Sequence, residues 1–156
     1  MTARVLIVED EPIIAMDLSI SLTGRGYHVF SASTGREAIR LALQEKPDLI
    51  LMDIILQGDM DGIEATENIR RDNDIPIVYM TAHTDDATMH KAKATRPYGY
   101  LIKPVNEYEL YSTMETVISR HAFEQHIRQN EENFRLLVEN AGDAIVIVQD
   151  LSLIHI

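Results

Sequence analysis

Short, continuous apolar runs alternate along the chain with stretches whose apolar residues recur every three or four positions. Val5–Val8, Leu49–Met52 and Ile75–Met80 show almost no polar alternation, which predicts strands buried on both faces of a parallel sheet. Tyr27–Ser31 and Gly99–Ile102 are weaker strand candidates. Pro12 suits a first helical turn, and Ile13, Met16, Leu18 and Leu22 follow before Gly24 and Gly26 stop that helix. Thr34 or Gly35 opens a second helix, with Ala38, Ile39, Ala42 and Leu43 at helical spacing and Pro47 just past its end. A third runs from Asp61 through Ile63, Ala65 and Ile69 to Arg71. A fourth, Asp85–Thr95, has only Ala87, Met89, Ala92 and Ala94 to bury, which predicts weak anchoring. The fifth starts near Asn106. Alternation of this kind over about 120 residues predicts an α/β domain of five β/α units, with helices on both faces of the sheet.

The fifth helix does not stop where a compact domain would need it to. No Pro or Gly occurs from Asn106 to Asn140. Leu110, Met114 and Val117 share one phase, whereas Phe123, Ile127, Asn130, Phe134, Leu137 and Ala141 step by 4, 3, 4, 3 and 4. That second series is a heptad seam with one polar member, fit to meet another chain in a homodimer. Gly142 ends the helix, Asp143–Gln149 is patterned as one strand, and Leu151–Ile156 is apolar without period. The expected organisation is a domain over 1–122, a helical linker with coiled-coil character over 123–141, and a short tail over 142–156.

Composition narrows the function classes. The 156 residues are 46% hydrophobic and 25% charged, an ordinary globular balance. With 14 Lys+Arg against 25 Asp+Glu the formal net charge is −11, which repels phosphate backbones and anionic lipid, so neither nucleic acid nor membrane is an expected partner. The absence of cysteine removes disulfides, thiolate metal sites and cysteine nucleophiles together. The N-terminus lacks a secretory apolar region, because Val5–Val8 is followed at once by Glu9-Asp10-Glu11. A cytoplasmic location is expected.

The candidate chemistry sits at the C-terminal ends of the strands. Glu9 and Asp10 follow the first, Asp53 the third, Thr81 the fourth and Lys103 the fifth. Open parallel sheets bind ligands beyond that edge, where the strand order reverses. If the first and third strands are neighbours, three carboxylates converge, each pair repelling by roughly 4 kcal/mol at 4 Å and an effective dielectric near 20. Such a cluster requires a hard cation, an ammonium or a raised pKa. Oxygen-only ligands suit Mg²⁺, and Lys103 supplies a fixed positive charge. A carboxylate so placed can attack a phosphoryl donor and hold the group as an acyl phosphate.

The motifs Val5-Leu6-Ile7-Val8-Glu9-Asp10-Glu11-Pro12, Leu49-Ile50-Leu51-Met52-Asp53-Ile54 with Asp61-Gly62-Ile63-Glu64, Pro76-Ile77-Val78-Tyr79-Met80-Thr81-Ala82 and Gly99-Tyr100-Leu101-Ile102-Lys103-Pro104 together resemble a receiver domain of two-component response regulators over residues 3–122. The resemblance implies a flavodoxin-like, doubly wound (βα)5 fold with strand order 2-1-3-4-5. It implies that Asp53 is the phosphoacceptor and that Glu9, Asp10, Asp53 and the Ile55 backbone carbonyl hold Mg²⁺ (or Mn²⁺). It further implies that Lys103 contacts the phosphoryl group, that Thr81 and Tyr100 form a switch, and that Lys103-Pro104 is a cis peptide. The donor would be a sensor histidine kinase or a phosphotransfer protein. The expected module is not an enzyme, beyond Mg-dependent self-phosphorylation and slow self-dephosphorylation.

Two positions that tune phosphoryl lifetime in that family are here Ile55 and His83. Ile55 cannot hydrogen-bond an attacking water, so slow loss of the phosphoryl group is expected; His83 fits either a contact to that group or a place on the rim. Glu131 to Val148 resembles the opening of a PAS sensor domain, limited to its entry helix and first strand, which implies a longer protein with a C-terminal PAS output and a histidine kinase as a further option. His121 and His126 lack the following acid of a kinase phosphoacceptor box and fit solvated helix positions. An aspartate-nucleophile phosphatase of the haloacid dehalogenase type is the alternative, disfavoured because it needs an acid where Ile55 stands. A nucleotide- or flavin-binding domain is disfavoured because Glu9-Asp10-Glu11-Pro12 replaces a glycine-rich phosphate loop.

Overall fold

The computed structural model describes residues 2–82 and 85–140. Its elements alternate without exception: β1 (Arg4–Val8), α1 (Pro12–Gly24), β2 (His28–Ala32), α2 (Gly35–Glu45), β3 (Leu49–Asp53), α3 (Gly62–Asp72), β4 (Ile77–Thr81), α4 (Asp86–Ala94), β5 (Gly99–Ile102) and α5 (Glu107–Asn140). The five strands form one parallel sheet in the order β2-β1-β3-β4-β5. This is the expected flavodoxin-like arrangement. The chain steps from β1 to β2 on one side and returns to β3 on the other, so the order reverses between β1 and β3.

Each sheet face carries its own apolar layer within the first compact unit, residues 1–118. On one side Leu6, Val8, Ile50, Met52, Ile77 and Tyr79 pack with Ala38 and Ala42 of α2, Ile63, Ala65 and Ile69 of α3, and Ala92 of α4. On the other, Val5, Ile7, Leu49, Leu51, Val78, Met80 and Leu101 pack with Leu18 and Leu22 of α1 and Leu110, Met114 and Val117 of α5. Alternate residues of one strand point to opposite faces, and both faces are covered, so β3 and β4 are buried throughout. That is why their sequences carry no polar alternation.

Several expectations shift. The strand expected over Ile75–Met80 starts at Ile77 and includes Thr81, and the one expected over Tyr27–Ser31 is His28–Ala32. The apolar positions Ile13, Met16, Leu18 and Leu22 of the first helix do not share one face. Leu18 and Leu22 are buried, while Ile13, Met16 and Ile20 face outward, Ile13 being 83% exposed. With apolar residues nearly all round the helix, periodicity could not choose the buried face; the sheet chose it. The fourth helix is as thinly anchored as expected, with Ala92 its one buried residue and Met89 half-buried.

The second unit spans residues 119–156, and its described part is helical to Asn140. Here Phe123, Ile127, Phe134, Leu136 and Leu137 are all exposed. The strand expected over Asp143–Gln149, the end of the seam at Ala141 and the tail to Ile156 lie outside the described residues, as does His83. No described helix is long and apolar enough to cross a membrane.

Candidate functional site

Parallel register sets the site. Val8 pairs with Met52, Asp53 with Met80, and Thr81 with Ile102. Glu9, one residue beyond β1, is therefore abreast of Asp53, and Lys103, one residue beyond β5, lies past Thr81 on the same sheet edge. Backbone hydrogen bonds continue the ladder here: the Ile54 N–H donates to the Met80 carbonyl at 3.1 Å and the Lys103 N–H to the Thr81 carbonyl at 2.7 Å. These side chains thus grow from the hydrogen-bonded edge of the sheet.

The structure brings together Glu9, Asp10, Asp53, Thr81 and Lys103. One carboxylate oxygen from each of Glu9, Asp10 and Asp53 lies within 4.8 Å of the others. Lys103 Nζ donates to Glu9 Oε2 at 2.8 Å and to Asp53 Oδ2 at 2.9 Å. Backbone amides hold the second oxygen of Glu9 and of Asp53, and one oxygen of Asp10. The Glu11 N–H donates to Glu9 Oε1 at 3.2 Å, the Ile55 N–H to Asp53 Oδ1 at 3.1 Å, and the Gln57 N–H to Asp10 Oδ2 at 2.9 Å. A cavity of about 280 Å³ opens above, lined by Asp10, Asp53, Ile55, Gln57, Thr81 and Lys103.

Burial pushes the Glu9 carboxyl up to about 7; the Lys103 hydrogen bond opposes that rise, and the neighbouring Asp53 charge adds to it. Lys103 loses hydration too, but its bonds to both acids outweigh that loss and hold its ammonium above the usual lysine range. The donor set is three carboxylates with no thiolate or imidazole among the described residues of the cluster. That chemistry fits a small, hard divalent cation such as Mg²⁺ or Mn²⁺.

The turn after Asp53 is shaped by Gly62. Its N–H donates to the Ile54 carbonyl at 2.9 Å, and a Cβ there would stand 2.0 Å from the Asp53 carbonyl oxygen. Asp61 caps α3 by accepting from the Glu64 N–H at 2.8 Å. The Asp61-Gly62 pair thus lays the start of α3 against the back of the acid it follows. Ile55 is 61% exposed at the mouth. Lys103-Pro104 is cis, as the resemblance implied.

Thr81 is buried at the end of β4, its hydroxyl donating to the Ala82 carbonyl at 3.3 Å. Tyr100 packs into the layer between the sheet and α4, its ring 6.1 Å from that of Tyr79. Its hydroxyl is buried and has no hydrogen-bond partner among the described residues, and burial raises its pKa. Sequence reasoning missed Tyr79, whose hydroxyl pairs with Thr95 Oγ1 at 2.7 Å and ties the end of α4 to the sheet. It also missed the three backbone amides above, which leave no trace in side-chain identity.

The sequence pattern of the response regulator receiver domain matches residues 5–115. Protein PilH of Pseudomonas aeruginosa is 35% identical over 120 residues, covering 75% of this chain and 98% of PilH. The transcriptional regulatory protein AfsQ1 of Streptomyces coelicolor is 34% identical over 115 residues, covering 74% of this chain but only 51% of AfsQ1; the chain spans about half the length of that relative. Among solved structures, the signal receiver domain of a modulated diguanylate cyclase from Desulfovibrio desulfuricans matches with a TM-score of 0.76 at 37% identity, covering 80% of this chain and 99% of that one.

Proposed function

The chain belongs to the response regulator receiver domain family, and from that premise we propose that Asp53 accepts a phosphoryl group from a phosphohistidine donor and that the modified domain signals to a C-terminal output. The observation that carries this reading is the Asp53 carboxylate, held at a strand end by the Lys103 ammonium at 2.9 Å and set beside Glu9 and Asp10. In the transfer an Asp53 oxygen attacks phosphorus, the P–N bond to the donor imidazole breaks, and a mixed anhydride forms. Lys103 would pair with a phosphoryl oxygen, and Thr81 lines the same cavity. Glu9, Asp10 and Asp53, with the Ile55 carbonyl, would hold Mg²⁺ or Mn²⁺. Bound there, the ion would neutralise charge on the transferred group.

The donor is a sensor histidine kinase or phosphotransfer protein. The outward apolar residues Ile13, Met16 and Ile20 of α1, a helix that starts two residues after Asp10, give such a partner a surface beside the acids. The phosphoryl group adds nearly two negative charges next to Thr81. Its hydroxyl turns to that group, and Tyr100, packed inward with its hydroxyl out of water, follows the space so released. The change is read on α4, β5 and α5. The thin anchoring of α4 supports this, because weak packing lowers the cost of rearrangement. The module signals rather than turns over substrate, and a PAS domain, alone or with a kinase, is the proposed output.

Intact-mass spectrometry after acetyl phosphate and Mg²⁺ tests the reading. The natural sequence gains one phosphoryl mass and Asp53→Asn gains none. The same gain in both proteins would move the acceptor elsewhere.

A further inference from the structure

The apolar stripe on the second half of α5 has a geometry that the phosphoacceptor site does not use. In heptad terms Phe123, Asn130 and Leu137 are d positions and Ile127 and Phe134 are a positions. Phe123 is 64% exposed, Phe134 51% and Leu137 67%. Gln125, Arg128, Gln129, Glu132 and Arg135 occupy the opposite faces. Among the described residues, nothing covers these large apolar side chains whose spacing fits a second helix.

We propose that this stripe pairs two copies of the chain as a parallel, in-register coiled coil over about residues 123–138. Two observations choose that occupant. First, the flanking e positions are Glu124 and Glu131, and the g positions are His126 and Asn133. An antiparallel pair sets e against e and brings glutamates together. A parallel pair sets each g against the e of the next heptad, so His126 meets Glu131 of the second copy. Second, Asn130 is the single polar member of the seam. Its amide nitrogen lies 3.3 Å from His126 Nε2 on its own helix, which leaves a second N–H and the amide oxygen to exchange hydrogen bonds with Asn130 of the second copy. Only an in-register parallel pair makes that exchange while keeping Phe123, Ile127, Phe134 and Leu137 in layers with their equivalents. The pairing is independent of the phosphoryl reading, so either can fail alone.

The chain has no cysteine, which makes the test direct. In the full 156-residue chain, Phe123→Cys and Leu137→Cys are each expected to form a disulfide-linked dimer with itself on mild oxidation, whereas Glu132→Cys on the outer face is not. Sedimentation of the natural sequence is expected to show a concentration-dependent dimer, and Ile127→Asp to raise its dissociation constant ~100-fold or more. Because Ile127 lies outside the 1–118 unit, the variant is expected to keep the natural acetyl-phosphate labelling, which verifies its fold. Disulfides that form only when the Phe123→Cys and Leu137→Cys chains are mixed would mean an antiparallel pair and overturn the proposal. A natural chain that sediments as a monomer at every concentration, its stripe covered by its own residues, would overturn it equally.

Discussion

Gly62 lies so close to Asp53 that a methyl group on its Cα would stand 2.0 Å from the Asp53 carbonyl oxygen. Nothing at the end of a flexible side chain could yield there, because the opposing atom is main chain of a buried strand. The acid's backbone position is therefore defined from behind by the first residue of α3, and from the sides by β1 and β4.

Gly62→Ala is accordingly expected to push β3 and α3 apart, destabilising the domain by about 1–3 kcal/mol and slowing labelling of Asp53 by acetyl phosphate. Urea denaturation and timed mass spectrometry check the two effects. An unchanged midpoint would mean that the close approach is not maintained in solution.

Lys103 compensates two carboxylates at once, at 2.8 and 2.9 Å. Lys103→Met leaves Glu9 and Asp53 without their ammonium. It is expected to lower stability by about 3 kcal/mol in the absence of metal, with part of that loss restored by Mg²⁺, and to reduce the labelling rate at least ~10-fold. Thermal melts with chelator and with Mg²⁺ measure the first effect. A Lys103→Met protein that labels at the natural rate would remove Lys103 from the transfer.

Ile55 stands at the mouth of the site with an apolar side chain and no means of orienting a water. The phosphorylated protein is expected to hydrolyse slowly, and Ile55→Glu to shorten its lifetime ~10-fold or more. Phosphoryl loss followed by intact mass after removal of donor decides this. A natural-sequence half-life of only seconds with Mg²⁺ present would contradict the shielding role.

Among the described residues the buried Tyr100 hydroxyl has no hydrogen-bond partner. Tyr100→Phe removes that unmet polar group with little change of shape and is expected to raise stability by about 1 kcal/mol, seen as a higher melting temperature. A fall of similar size would show that the hydroxyl is bonded in solution.

Helix α4 offers one buried residue where α3 offers five. Its amides are expected to exchange hydrogen faster than those of α3. Asp85 caps it, and the Thr88 N–H holds the Asp85 carboxyl below the usual aspartate range. A group so depressed stabilises the helix above its unfolded pKa, and that support is lost as pH falls through the folded value. Opening of α4 relative to α3 should therefore grow on acidification, and Asp85→Ala should show the faster exchange already at neutral pH.

Much of this was legible in the chain itself. Strands buried on both faces carry nearly continuous apolar runs, so β1, β3 and β4 declared themselves without a partner in view. Charged residues at the C-terminal ends of strands lie at a sheet edge, which made Glu9, Asp10, Asp53 and Lys103 visible as a set. The phase change along α5 was visible as well, because Leu110, Met114 and Val117 cannot share a face with Phe123 and Phe134.

Other features were decided only when the elements came together. Helix α1 is apolar nearly all round, so which residues it hides depended on where the sheet lay, and Ile13 and Met16 ended outside. Glu9 acquired a carboxyl pushed up to about 7 from burial between two strands, a property of its surroundings and not of its residue type. The amides of Glu11, Ile55 and Gln57 became ligands of the acids through loop geometry that no side chain encodes. Periodicity and strand-end chemistry are local and survive in one dimension; solvent exclusion and hydrogen-bond partners are made by packing, and exist only in three.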